Sequence, residues 1–100
     1  MERTIFLSIT DAEREEMVAA AILGREREIL GYEINIENYE AIVANPSTSP
    51  EFSKRLTDLL KTENAEREKS LGIYAALKTH IPAARIVAAI AAAKAKAALP

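Results

Sequence analysis

Apolar and polar positions recur with a helical period over two long stretches whose interiors hold no proline. In the first, Ile22, Ile29, Ile36 and Val43 stand seven residues apart with Val18, Tyr32 and Tyr39 beside them, so residues 11 to 44 read as one helix with a continuous apolar seam. Its start is marked by Thr10 and Glu13, spaced as a capping box, and Asp11 and Glu13 suit the positive helix end. Its stop is Asn45, which Pro46 drives out of the α region. After the turn-forming run Asn45-Pro46-Ser47-Thr48-Ser49-Pro50, Ser49 serves as a cap, Pro50 as a first helical position and Glu51 as a first-turn acid. The second helix then spans residues 50 to 79, with Phe52, Leu56, Leu59 and Leu60 at one end and an apolar end of Leu71, Ile73, Tyr74, Leu77 and Ile81 at the other. Two apolar seams joined by a short turn predict a long, coiled-coil-like antiparallel two-helix hairpin.

Between those apolar ends the second helix carries Glu63, Asn64, Glu66, Arg67, Glu68 and Lys69. Glu63 and Arg67 are four apart on the face of Leu56, Leu60 and Tyr74, where they can pair with each other inside the interface. A charged layer there fixes register and orientation, as buried polar residues do in other coiled coils. The competing reading is a carboxylate site using Glu63 or Glu66 with Glu33 or Glu37. Gly24 and Gly31 recur seven apart, and Gly72 falls opposite Gly24 in a hairpin centred near Thr48, so a close crossing of the two helices is expected there.

The chain beyond the second helix changes character, with ten alanines among residues 83 to 99 and Ile86, Val87, Ile90 and Leu99 as the only bulk. Pro82 fits a first helical position and Lys94 and Lys96 suit a C-terminal end, which predicts a third, Ala-rich helix over residues 83 to 99. Such a helix offers little to bury within its own chain but lets another helix approach closely. At the other end, residues 1 to 9 are β-prone with no second strand to pair with, and are expected to form an arm.

Composition then bounds the class. The chain has 100 residues, 49% apolar and 28% charged, which suits one folded helical domain. The absence of cysteine excludes disulfides and thiolate metal sites. No apolar run approaches the roughly 18 residues of a membrane span, and the first residues carry too short an apolar run for a signal peptide. The expected location is therefore cytoplasmic. Charge is unevenly placed: residues 1 to 45 hold ten acids and four bases, residues 46 to 79 five acids and six bases, and residues 80 to 100 three bases. In the hairpin, Lys54 and Lys61 should approach Glu33, Glu37 and Glu40. The bases of the tail, Arg85, Lys94 and Lys96, are too few and too spread for a nucleic-acid face.

For chemistry the inventory is poor. One histidine, His80, no cysteine, and no nucleophile elbow or phosphate-cradling glycine loop leave no catalytic residues to assign. Ser49-Pro50-Glu51-Phe52, opening a helix that continues through Glu63-Asn64-Ala65-Glu66-Arg67-Glu68, resembles the second helix of short, encapsulated ferritin-like hairpins. The Glu-x-x-His motif that carries metal in such proteins has no counterpart here, and Ser70 stands where a histidine would have served. No metal or cofactor ligands are therefore assigned. Tyr32-Glu33-Ile34-Asn35-Ile36-Glu37-Asn38-Tyr39, the proline-containing turn, Leu59 to Lys69 and Ala75-Ala76-Leu77 are similar to small helical-hairpin proteins of tailed-phage genomes. That resemblance spans about residues 25 to 80 and implies a phage or prophage setting, with virion association as the second location.

The expectation is an all-α, non-enzymatic structural or assembly protein that forms homo-oligomers. Its hairpin and oligomer contacts would come from Ile22, Ile29, Tyr32, Ile36, Tyr39, Val43, Leu56, Leu60, Glu63, Arg67, Tyr74, Leu77, Ile86 and Ile90. The alternatives are an adaptor that captures a helix of a protein partner in the hairpin groove, and a ferritin-like carboxylate metal binder.

Overall fold

The computed structural model describes residues 9–99, and these form three helices with no strand among the described residues. α1 spans Asp11–Ala44, α2 Pro50–Lys78 and α3 Ile86–Ala97. All but the last residue of the expected N-terminal arm lies outside the described residues.

The helix starts follow from local side-chain chemistry. At α1, Glu13 donates its backbone N–H to Thr10 Oγ1 at 3.1 Å, while Thr10 donates its own to Glu13 Oε1 at 3.2 Å, so the capping box is closed in both directions. At α2, Phe52 donates its N–H to Ser49 Oγ at 3.2 Å. The turn between them is held by its own polar side chains. Asn45 Oδ1 accepts the Ser47 N–H at 2.9 Å, and Thr48 Oγ1 donates at 2.6 Å to the Ile42 carbonyl in the last turn of α1, which also accepts the Asn45 N–H.

α3 differs from its expected bounds. Pro82 does not open it: the Pro82 carbonyl accepts the Arg85 N–H in a turn, and the helix begins at Ile86. No Ser, Thr, Asp or Asn stands between Ile81 and Ile86 to mark a start. Arg85 occupies the cap position without a capping side-chain bond and instead donates to Glu15 at 2.8 Å. α2 likewise stops at Lys78, where Thr79 and His80 leave the helix by bonding back to Ala76 and Leu77.

The chain divides into two compact units, one of residues 1–24 and 74–100 and one of residues 25–73. The core of the first is Ala19, Ile22 and Ile81, with Val18, Tyr74, Leu77, Ile86, Ala89, Ile90 and Ala93 packed around it. α3 therefore does pack one face, half-buried, within its own chain: Ile86 and Ile90 supply bulk, and Ala89 and Ala93 let the helix come close. Its other face stays open, with Val87 79% exposed. Polar contacts reinforce this unit, with Arg85 on Glu15, Lys96 on Glu16, and Arg14 Nη2 3.0 Å from His80 Nδ1.

The second unit is built more sparely. Its buried residues are Ile29, Leu56 and Ser70, and Tyr32, Ile36, Tyr39, Val43 and Leu60 are half-buried. Here the α1 and α2 segments run in opposite directions, because Asn35 reaches Glu63 at 3.5 Å while Glu33, further toward the start of α1, reaches Arg67 at 3.0 Å, further along α2.

The expected close crossing at glycine is not formed. A Cβ added at Gly24, Gly31 or Gly72 would meet nothing within 4 Å, and all three positions are exposed. The glycines thus cost helix stability without admitting a neighbour's backbone.

Candidate interaction surface

The residues expected to form one continuous interface are shared between the two units. Ile22, Tyr74, Leu77, Ile86 and Ile90 belong to the core of the first. Ile29, Tyr32, Ile36, Tyr39, Val43, Leu56, Leu60, Glu63 and Arg67 belong to the second, all of them buried or half-buried.

The polar layer of the second unit is wired differently from the expected Glu63–Arg67 pair. Arg67 turns across to α1, donating from both Nη2 and Nε to Glu33 Oε2 at 3.0 and 3.3 Å, with Glu68 at 3.5 Å as a second carboxylate. Glu63 instead accepts from Asn35. Cross-helix contacts win because a planar guanidinium on a half-buried stem can bridge two helices. Next along α1, Tyr32 donates its hydroxyl to Glu28 Oε1 at 3.1 Å, and Glu28 also takes Arg25 at 3.2 Å. The Tyr32 phenol titrates above its ordinary value, first because packing removes water from it, then through the Glu28 hydrogen bond and the negative charges of Glu28, Glu66 and Glu63. The expected approach of Lys54 and Lys61 to Glu33, Glu37 and Glu40 yields no ion pair among the described residues: Glu33 is taken by Arg67.

Beside this layer lies a cleft of about 430 Å³, walled on α1 by Leu30, Glu33, Ile34 and Glu37, on α2 by Asn64 and Arg67, with Ile36 also lining it. Leu30 is 56% and Ile34 48% exposed. Neither belongs to the seven-residue seam, so a reading of the seam alone misses them. Their signal was an apolar pair four residues apart on a neighbouring stripe of the same helix. A second cleft, of about 350 Å³, lies within the first unit between the start of α1 and α3, lined by Ala12, Ala19, Ala89, Ala92 and Ala93 with Glu15, Glu16 and Lys96 at its rim.

Among the described residues no three His, Asp or Glu side chains come together as metal donors. Ser70 is fully buried, with its hydroxyl bonded to nothing among the described residues, and it lines neither cleft. No helix among the described residues is long and apolar enough to cross a membrane. No known family matches the sequence, and no curated protein or solved structure is significantly similar to it.

Proposed function

We propose that this chain is a non-enzymatic assembly component, a coiled-coil-like antiparallel hairpin with an accessory Ala-rich helix that associates with copies of itself. The observation that carries the reading is the imbalance of apolar surface. Among the described residues six apolar side chains are buried (Ala19, Ile22, Leu23, Ile29, Leu56 and Ile81), while eight large ones stand exposed: Met17, Leu30, Ile34, Ile42, Phe52, Leu59, Val87 and Leu99. Single exposed apolar residues need no explanation, but neighbouring ones on one surface, such as Leu30 and Ile34 on the wall of one cleft, offer a patch that a partner can cover. The likeness to hairpin proteins of tailed phages suits this role and suggests a phage or prophage setting.

The test is the solution mass by light scattering behind a sizing column over a wide concentration range, with and without divalent metal. A discrete oligomer indifferent to metal is the expected result. A monomer at every concentration would overturn self-association and favour the adaptor reading, in which the cleft beside Leu30 and Ile34 receives an amphipathic helix of a protein partner.

A further inference from the structure

Among the described residues, the cleft of the second unit is lined on α1 by an unpaired acid, Glu37, and just outside its α2 wall stands an unpaired base, Lys61. Leu30, Ile34 and Glu37 follow one another at intervals of four and three, which makes them one stripe on α1. Asn64 and Arg67 form the α2 wall, and Lys61 stands one turn before Asn64 on the same stripe. With Asn35 level with Glu63 and Glu33 level with Arg67, Glu37 lies level with Lys61. Glu33 and Arg67 satisfy each other across the helices. Glu37 and Lys61, a turn closer to the loop and both exposed, make no ion pair among the described residues.

Resting on the self-association reading, we propose that two copies pack cleft to cleft through residues 25–73, with Leu30 and Ile34 at the centre and Glu37 of each copy paired to Lys61 of the other. A two-fold axis along the cleft keeps every residue at its level and exchanges the walls, so α1 of one copy lies over α2 of the other. That operation brings Glu37 of one copy over Lys61 of the other twice, in the register already fixed by Asn35–Glu63 and Glu33–Arg67. An unrelated helix would have to supply both charges at that spacing; a second copy supplies them by symmetry. Apolar contact at Leu30 and Ile34 then contributes most of the affinity, and the charges set orientation.

The experiment is sedimentation velocity on the full chain, with helicity checked by circular dichroism for each variant. Leu30→Gln together with Ile34→Gln should raise the dimer Kd by more than about a hundredfold. Glu37→Lys and Lys61→Glu should each weaken dimerisation about fivefold, because each homodimer then faces like charges. An equimolar mixture of those two variants should return to wild-type affinity, since the mixed dimer has an opposite pair at both sites, a recovery that a purely intramolecular effect cannot produce. A wild-type oligomer unmoved by the Leu30/Ile34 substitutions, or single charge variants that do not recover on mixing, overturns this surface while self-association stands. A wild-type chain that is monomeric throughout overturns self-association itself.

Discussion

Ser70 is buried to 1% exposure and its hydroxyl has no partner among the described residues. A buried, unsatisfied hydroxyl costs about 1–3 kcal/mol, and serine is also a poorer helix former than alanine. Ser70→Ala should therefore stabilise the chain, by about 1 kcal/mol, measured as a higher midpoint in urea. A loss of stability would show that the hydroxyl finds a partner in solution. Tyr32 makes a second prediction at this scale. Its phenol is held neutral beyond the ordinary tyrosine value of 10.0 by desolvation, then by Glu28, Glu66 and Glu63. Since the folded state holds that proton more tightly than the unfolded chain does, the contribution is complete below pH 10 and is lost as pH rises through the folded value. Unfolding free energy should fall in that alkaline range, and Tyr32→Phe should fall less steeply. The sequence placed Tyr32 on the seam, but its bond to Glu28 depends on which way the ring leaves the helix.

At the scale of the element, helix starts were legible where a side chain closes them. Thr10 with Glu13 and Ser49 with Phe52 form the bonds their spacing implies. Thr10→Ala should cost about 1 kcal/mol, visible as fraying at the first turn of α1 in amide exchange. α3 was legible as a helix but not in its bounds, because nothing between Ile81 and Ile86 caps it and the burial of Ile81 and the reach of Arg85 to Glu15 decide instead. The glycines are a case where sequence spacing misled. Seven-residue recurrence suggested a crossing, yet Gly24, Gly31 and Gly72 face open space and none has a positive φ. Replacing each by alanine should raise stability by about 0.5–1 kcal/mol, additively, in thermal or urea melts.

For the whole molecule, the small number of buried apolar side chains among the described residues makes each one matter. Ile22 is completely buried at the centre of the first unit, and Ile22→Ala should cost about 2–5 kcal/mol, the range for truncating a large core aliphatic. If copies associate through the exposed apolar stripe, Tm should rise with protein concentration, as mass action requires when only folded chains bind one another. A Tm constant across a hundredfold dilution series would count against association.

The sequence by itself determined three helices, the two long ones almost to the residue, because helical periodicity, caps and prolines are local signals. Of the seven-residue positions on α1, Ile22 and Ile29 are buried and Ile36 and Val43 half-buried, since such a repeat keeps to one face of a helix whatever that face meets. Tertiary structure alone decided how the polar layer is wired, with Arg67 on Glu33 and Glu63 under Asn35. Long flexible side chains choose among several partners within reach, and only the positions of both helices remove that freedom. The open cleft at Leu30 and Ile34 was likewise beyond a one-helix reading, because exposure belongs to the space between elements and has no periodicity of its own.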